Sequence, residues 1–414
     1  MMSQFSCDLI LRGALLGKET PEDIAISDGF ITRIGVALPA SGAVERNLGG
    51  RVVLPGFVDS HIHLDKACLL CRCQNTSGAL KGAIAAVSQL KAEFTMDDVY
   101  ERGRRVVEQA ILQGTMHMRA HTEVDPRAGL RSFNAIKQLK SDYKSCLNLQ
   151  ICVFPQEGLT NDPGTSEFLL EALSNGADLL GGCPYTDTAP YEQLRWLFKT
   201  ARDFDVDLDL HLDFDLDPSG SLLSEVCRLT DKTGWHNRVA VGHATKLAAM
   251  TGPSFTSSVE RLKASGVAVT ALPSTDLYLN GRDTGILPPR GIAPVHLLAA
   301  QGITCSIGTN NVLNPFTPFG DCSLLRMANL YANCMHLSPD DFDACLSLIT
   351  HSAARLMGLS DYGLMVGNAA DLVVLDATNR LEAFGGIAQP VLGFKSGQQT
   401  FERPPARLFR ETAK

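Results

Sequence analysis

The stretch that decides the fold is PGFVDSHIHLD, residues 55–65, in which two histidines close an apolar run. Side chains two positions apart on a β-strand lie on the same face, so His61 and His63 can reach one metal ion from the end of one strand. A helix would separate them. Two ordinary histidines at a strand terminus are the alternative. The preceding Pro-Gly, the following Asp65 and further histidines downstream favour the metal interpretation.

Apolar, strand-like runs recur after this motif and alternate with stretches of helical periodicity, such as residues 97–113 and 257–264. Eight strands alternating with helices predict a (β/α)8 TIM-type barrel, whose usual length is about 250 residues. A doubly wound sheet is the alternative. The barrel is favoured because polar residues cluster at the C-terminal ends of the runs, where barrel active sites lie. The predicted strands are residues 53–61, 114–122, 147–156, 177–184, 205–213, 238–244, 267–273 and 303–309.

Both ends of the chain carry short β-rich segments. Residues 8–13 and 23–31 are half-alternating runs, Asp28-Gly29 is a hairpin signal, and residues 363–376 have a similar pattern. We therefore predict an α/β protein with a small β-sandwich domain built from both chain ends. The predicted domains are the β-sandwich of residues 1–54 and 363–414 and the barrel of residues 55–362.

Composition narrows the class of protein. The net charge of -8 argues against a nucleic-acid partner, and no apolar run reaches transmembrane length, so no membrane contact is expected. Residues 1–8 lack a basic segment leading into an apolar one, which predicts no signal peptide and a cytoplasmic location. The 12 scattered cysteines, including Cys68, Cys71 and Cys73, are interpreted as free thiols. A homo-oligomer is expected, with the polar tail 401–414 either loosely packed or at the oligomer contact.

The fifth predicted strand has strict alternation. Its acidic residues and His211 share one face, while the leucines and Val206 take the other. Such a charged face is not tolerated in a dry core unless ions or partners neutralise it. In a barrel the leucines would pack against the helices, and His211 and Asp213 would point into the barrel mouth. The acidic residues of this face are Asp205, Asp207, Asp209 and Asp213.

The sixth predicted strand ends in His243. With His61, His63 and His211, it makes a plausible site for one divalent metal ion, zinc or iron, because neutral imidazole suits either metal. Taken alone, His211 or His243 is as readily explained as a core histidine with satisfied hydrogen bonds. The combination of four is harder to explain in that way.

Three further segments follow predicted strands. Gln156 could hydrogen-bond the amide edge of a heterocycle, or be a turn residue before Gly158. Asn310 and its neighbours at the end of strand eight either form a turn or line the site. The loop 274–282, which contains Asp276, is a candidate to close over the ligand.

On these residues the chain resembles the amidohydrolase superfamily, and within it the bacterial cytosine deaminases and the N-isopropylammelide amidohydrolases. The resemblance implies that His61, His63 and His211 bind the metal, and that His243 binds it or orients the attacking water. It also implies that Gln156 contacts the carbonyl and ring nitrogen of the substrate. The implied chemistry is metal-activated hydroxide attacking an sp² carbon and expelling ammonia or an amine. The motifs that carry the resemblance are residues 56–65, 154–158, 279–282 and 315–320, with His211 and His243.

Two positions depart from that family. Asn310 stands where the family has an acid that binds metal and takes the water's proton, and an amide cannot accept that proton near pH 7. Phe214 replaces the glutamate with which cytosine deaminases deliver a proton to the ring. Asp213, on the face of His211, is the first candidate base and His243 the second.

Two lysines stand directly beside site positions. Lys66 and Lys246 are candidates to bind an anionic group of the substrate, although each is otherwise a solvated or salt-bridged side chain. The predicted site therefore has metal ligands, catalytic residues and substrate contacts. The predicted metal ligands are His61, His63, His211 and His243. The predicted catalytic residues are Asp213, His243 and Asn310. The predicted substrate contacts are Gln156, Phe214, Lys66 and Asp276.

The predicted function is a metal-dependent hydrolase, either a deaminase or a cyclic amidohydrolase. It would cleave a non-peptide C–N bond in a small nitrogen heterocycle. Phe214 argues against cytosine itself, because ring protonation would lose its shuttle. Asn310 and Phe214 also motivate two alternatives, a small-molecule-binding protein that has lost hydrolysis and a metal-free enzyme of the same fold. The metal-free enzyme is the least favoured, because such a chain has little reason to place histidines on three strands.

Overall fold

The structure, a computed structural model, describes residues 7–17, 20–40, 42–73, 77–404 and 406–409. Residues 1–6, on which the signal-peptide prediction depends, lie outside the described residues, as do residues 410–414 of the polar tail. The chain divides into two compact units. The first comprises Met1–Gly56, Ile111–Gly114 and Asp361–Lys414, and the second comprises Phe57–Ala110 and Thr115–Ser360.

The strands and helices alternate through the second unit. The strands are β1 Leu9–Ala14, β2 Glu22–Ser27, β3 Phe30–Gly35, β4 Val44–Asn47, β5 Val53–Pro55, β6 Phe57–Ile62, β7 Thr115–Glu123, β8 Asn148–Phe154, β9 Leu179–Gly182, β10 Asp207–Leu212, β11 Val239–His243, β12 Ala268–Ala271, β13 Cys305–Ile307, β14 Leu372–Leu375, β15 Pro390–Lys395 and β16 Gln398–Glu402. The α-helices are α1 Leu80–Lys91, α2 Met96–Leu112, α3 Arg131–Asp142, α4 Thr165–Ser174, α5 Pro190–Phe204, α6 Leu223–Thr233, α7 Gly252–Ser265, α8 Pro273–Leu279, α9 Val295–Ala300, α10 Leu324–Met335, α11 Phe342–Ser347, α12 His351–Leu356 and α13 Arg380–Gly385.

The second unit is a parallel barrel. Its strands β6 to β13 pair in chain order, and each neighbouring pair is parallel. The first and last strands close the ring just beyond their ends, where His63 N donates to Asn310 O at 2.8 Å and Asn310 N donates to His61 O at 2.9 Å. The sequential order confirms the predicted (β/α)8 barrel and excludes the doubly wound sheet, whose strand order reverses.

Arginine side chains neutralise the acidic residues at the N-terminal end of β10, as expected for a charged face next to the core. Arg238 donates to the carboxylates of Asp205 and Asp207, each at 2.6 Å, and Arg119 donates to Asp209 at 2.7 Å. The strand ends at Leu212, and Asp213 has φ of 51°. That left-handed turn stops the alternation, so Asp213 does not continue into the barrel mouth as predicted.

The first unit is the predicted small β-sandwich. Its two four-stranded sheets have the orders β3-β2-β1-β4 and β16-β15-β14-β5. They share one apolar core, in which Leu11 and Ile24 come from one sheet and Val374 and Phe394 from the other. The predicted strand 53–61 is split at Gly56, because β5 pairs with β14 whereas β6 begins the barrel.

Among the described residues, no helix is both long enough and apolar enough to cross a membrane. All 12 cysteines are unpaired in the structure. The helices predicted over residues 97–113 and 257–264 are present as α2 and as part of α7.

Candidate active site

Three histidines converge at the C-terminal mouth of the barrel. His211 Nε2 lies 3.2 Å from His61 Nε2 and 3.1 Å from His63 Nε2, and all three side chains are buried. Burial lowers the pKa of each imidazole well below its usual value, and the neighbouring histidines and Lys66 lower it further. The three rings are therefore neutral at pH 7. His63 Nδ1 donates to His121 O at 3.0 Å, which leaves the lone pair on Nε2 facing the cluster.

Glycines on two strands leave room for His61. A Cβ atom at Gly242 would lie 2.9 Å from His61 Cε1, and one at Gly308 would lie 2.8 Å from the carbonyl oxygen of His61. Neither distance is compatible with ordinary packing, so the position of His61 depends on the absence of side chains at the ends of β11 and β13.

A fourth imidazole lies behind the cluster. His121 stacks on His61 with the ring centroids 3.7 Å apart, and its Nε2 lies 3.5 Å from Asp209 Oδ2. Arg119 holds the same carboxylate. The sequence interpretation missed His121, although its alternation with Arg119 and Glu123 on β7 places all three on one face and was a usable signal.

Asn310 lies beside the three histidines in the cavity wall. Its side chain is buried and lines the same cavity as His63 and His211, and neither of its polar atoms has a hydrogen-bond partner among the described residues. A buried amide without a partner is costly unless a ligand satisfies it. Three neutral imidazoles and one amide oxygen form a donor set that fits a divalent cation of the zinc or iron type.

His243 stands apart from the three converging histidines. Its ring centroid is 5.6 Å from that of His211, and its Nδ1 lies 2.6 Å from Asp276 Oδ1. Asp276 also accepts from Leu272 N at 3.0 Å and is fully buried. Asp276 therefore contacts His243 instead of lining the cavity, and it holds the imidazole with Nε2 free for the cavity. This placement favours the water-orienting role of His243 over the ligand role.

Two other predicted candidates are engaged outside the cavity. The carboxylate of Asp213 accepts from Leu222 N at 3.0 Å and from Ser221 Oγ at 2.5 Å, at the start of α6. Lys246 Nζ donates to Asp215 Oδ1 at 2.7 Å and to backbone oxygens of the same loop. Both side chains therefore stabilise the segment between β10 and α6.

Lys66 and Gln156 lie side by side in the cavity wall. Lys66 Nζ donates to Gln156 Oε1 at 2.9 Å and to Glu123 Oε1 at 2.7 Å, and it lies 4.4 Å from the centroid of the Phe316 ring. Gln156 Nε2 donates to Cys183 Sγ at 3.5 Å. An ammonium group has three donors, so one N–H of Lys66 is left for a ligand.

A buried network of charges extends from Lys66 towards the surface. Lys91 Nζ donates to Glu123 Oε2 at 2.8 Å and to Glu157 Oε2 at 2.5 Å, and it also pairs with Asp125. Burial would raise the pKa of Glu123, but the two ammonium groups outweigh it and lower that pKa. Burial and the neighbouring carboxylates raise the pKa of Glu157 to about 7. The ammonium of Lys91 occupies the centre of the three carboxylates.

Apolar side chains line the remaining wall of the cavity. Phe214 lies edge-on to His243 with the ring centroids 4.4 Å apart, and Tyr185 lies 6.1 Å from Phe214. Leu80 and Tyr185 were missed, because apolar residues after strands and at helix starts resemble core residues in sequence. Leu279 and Phe316 also line the cavity, and they belong to the segments 274–282 and 315–320 that the sequence analysis singled out.

The chain is similar to known proteins over most of its length. The model of the amidohydrolase family matches residues 44–138 and 100–401. N-isopropylammelide isopropyl amidohydrolase of Pseudomonas sp. (strain ADP) is 29% identical over 94% of this chain and 96% of its own length. Pterin deaminase of Rhizobium rhizogenes is 28% identical over 86% of this chain and 82% of its own. The crystal structure of 5-methylcytosine deaminase from Klebsiella pneumoniae superposes with a TM-score of 0.91 at 28% identity, covering 97% of this chain and 100% of that one.

Proposed function

This chain belongs to the amidohydrolase family, and from that membership we propose that it is a metal-dependent hydrolase of a non-peptide C–N bond in a small nitrogen heterocycle. The observation that carries the proposal is the convergence of the Nε2 atoms of His61, His63 and His211. Relatives with similar sequences or structures are named for activity on N-isopropylammelide, pterin and 5-methylcytosine. The class of substrate we propose is therefore a nitrogen-rich ring from which ammonia or an amine is released.

The three histidines would hold one divalent metal ion, zinc or iron, with the amide oxygen of Asn310 as a fourth donor. A divalent cation held there would lower the pKa of a coordinated water from about 15.7 towards 7. Because Asn310 replaces a carboxylate, no charge of the donor set offsets the cation. The buried site therefore tolerates the cation less well than a site with an aspartate does.

His243 accepts the proton of the attacking water in this proposal. Asp276 keeps the proton of the imidazole on Nδ1, so the lone pair of Nε2 faces the cavity. The protonated ring then donates to the leaving nitrogen, so the proton is conserved within the site. His243 takes the role that Asn310 cannot perform. Asp213 is not needed for it, because both of its oxygens are bonded at the start of α6.

Substrate contacts come from the cavity wall. Lys66 offers its third N–H to an anionic or carbonyl oxygen, and Gln156 lies beside it with its carbonyl turned to Lys66. Phe214 supplies an apolar edge against which a flat ring packs. Because no carboxylate stands at position 214 to protonate a ring nitrogen, we expect cyclic amides and N-substituted rings to react better than cytosine. The cytoplasmic location and the homo-oligomeric state stay predictions.

The first test is the metal content of protein expressed in zinc- or iron-supplemented medium, measured by elemental mass spectrometry. We expect about one metal ion per chain, and ammonia or amine release in a heterocycle screen. His61→Ala should lose the metal and at least about 10²-fold in turnover. His236→Ala, a partly exposed histidine away from the cavity, should retain both. Absence of metal under both conditions would contradict the proposal and favour a binding protein or a metal-free enzyme.

A further inference from the structure

A large second cavity opens outside the histidine site. We call it the outer vestibule; it lies between Ala79–Lys81, residues 247–255 and the segment 279–292, which begins at the last residue of α8. Its volume is about 1300 Å³, whereas the cavity at the histidines is about 10 Å³, room for roughly one water molecule. Four side chains line both cavities and form a neck between them. These are Leu80, Tyr185, Phe214 and Leu279.

These dimensions determine where a substrate lies. The cavity at the histidines has room for roughly one water molecule. A substrate whose reacting atom reaches the histidines through the neck therefore leaves the rest of its molecule in the outer vestibule. Ligand pockets usually measure about 300 to 1,000 Å³, so this one holds more than a single small ring. Its walls beyond the neck include Leu247, Phe255 and Met335. The vestibule therefore suits an apolar arm attached to the ring.

Cations stand along the vestibule in a protein of net charge -8. Lys81, Arg282 and Arg290 all line it. In the described part of the chain, none of the three forms an ion pair with a carboxylate. Of the two lining carboxylates, Asp215 is paired with Lys246 at 2.7 Å, so only Asp283 opposes the three cations.

Arg282 is held in place without being neutralised. Its Nε donates to Tyr278 O at 2.9 Å, and its guanidinium carbon lies 4.4 Å from the centroid of the Tyr278 ring. Among the described residues the Nη groups of Arg282 have no hydrogen-bond acceptor, so they can bind an anion in a forked geometry. A planar, pre-positioned guanidinium is well suited to a carboxylate.

The cations lie a short way from the neck. Lys81 follows the neck residue Leu80 directly, and Arg282 comes three residues after Leu279. Consecutive Cα atoms are 3.8 Å apart, so the Cα of Arg282 is at most about 11 Å from that of Leu279. An arm about as long as one aromatic ring with its linking atoms spans this distance.

We propose that the substrate is a nitrogen heterocycle bearing a short apolar arm that ends in a carboxylate, with the arm in the outer vestibule and the carboxylate on Arg282 and Lys81. The identity of the reacting ring rests on the proposed function. Recognition of the arm does not depend on which bond is broken.

The test uses isothermal titration of the full-length, metal-loaded protein with three ligands that share one ring. Pterin provides the ring alone. Folic acid provides the ring with an acidic aromatic arm, and its dimethyl ester provides the ring with the same arm made neutral. We expect folic acid to bind at least about tenfold more tightly than either of the others, the gain of a charge-assisted hydrogen bond. Turnover of each ligand is followed separately by ammonia release.

Variants assign the effect to the cations. Arg282→Gln and Lys81→Gln should each remove most of the preference for the acid over its ester and leave pterin binding unchanged. Arg282→Lys should retain part of it. Arg228→Gln is the matched control, because Arg228 is an exposed arginine that pairs with Glu225 on α6, outside the vestibule. Melting curves confirm that the variants are folded.

The outcomes separate this inference from the proposed function. Tighter binding of folic acid that depends on Arg282, with no ammonia release from any ligand, supports the inference and counts against the hydrolase. Equal affinities for the three ligands, including no binding by any of them, overturn the inference. A preference that survives both Arg282→Gln and Lys81→Gln also overturns it.

Discussion

Asn310 sets the charge of the histidine cluster. The three imidazoles are neutral and the amide adds no charge, so a divalent cation bound by them would keep its full charge in a buried site. The positive charge of Lys66 in the same cavity wall is paired with Glu123 at 2.7 Å and does not offset the lack of a carboxylate at position 310. The amide oxygen can still donate a lone pair to a metal ion, because it has no hydrogen-bond partner among the described residues.

We predict that Asn310→Asp increases metal affinity by about tenfold or more, because a carboxylate offsets part of the charge of the cation. Competition with a fluorescent chelator measures the change. Asn311→Asp is the control, since Asn311 lines the same cavity but its Oδ1 already accepts from Asn314 Nδ2 at 2.7 Å. An equal gain in both variants would show a general effect of negative charge, and no gain at Asn310 would remove it from the donor set.

At the scale of the elements, the end of β10 and the start of α6 determine what Asp213 does. The strand ends at Leu212, and Asp213 turns into the left-handed region with φ of 51°. Its carboxylate then accepts from the backbone N–H of Leu222, one of the amides that a helix start leaves unsatisfied. The residue connects two elements and does not present its carboxylate to the cavity.

For Asp213→Ala we expect a loss of roughly 1 to 2 kcal/mol in the free energy of unfolding, the usual cost of removing a cap at a helix start. Turnover should fall much less than for removal of a general base, for which a loss of about 10²-fold is expected. Denaturant unfolding and steady-state kinetics measure the two effects, with His243→Ala as the variant that should lose turnover. A large loss of turnover in Asp213→Ala at unchanged stability would instead make Asp213 the base.

For the molecule as a whole, the buried charge network links folding stability to pH. Lys91 on α1 joins Glu123 on β7 to Glu157 beyond β8, so three elements of the barrel unit share one set of charges. Burial is the largest cause of the raised pKa of Glu157, about 7 against 4.5 for the free side chain. The folded state therefore holds this proton more tightly than the unfolded state does.

The sign of the effect follows from that difference. Between pH 4.5 and about 7 the folded protein binds more protons than the unfolded chain, so stability falls as the pH rises through this range. We predict that Glu157→Gln removes this slope and becomes more stable than the parent between pH 5 and 8, by at most about 3 kcal/mol. Urea unfolding at several pH values measures it, with the exposed Glu260→Gln as control. If the difference in the free energy of unfolding between Glu157→Gln and the parent does not change with pH over this range, the pKa of Glu157 is not raised.

Much of the architecture was predictable from sequence because it depends on periodicity. Strand-length apolar runs with helical stretches between them indicated the barrel, and histidines at strand ends indicated where its site lies. His61 and His63 could be paired because a two-residue spacing has a fixed meaning on a strand. His211 and His243 were found at strand ends, although their spacing along the chain says nothing about their separation in space.

The sequence by itself determined the barrel, the sandwich built from both ends and the histidines that converge. These follow from local alternation and from the rule that the carboxyl ends of parallel barrel strands meet on one face. Only the tertiary structure decided the roles around them. It turned Asp213 towards α6, placed Asp276 behind His243 and brought Glu123 and Lys91 to Lys66. Each of these depends on the direction of a side chain after a strand has ended, where the backbone no longer alternates and contacts distant in sequence decide the geometry.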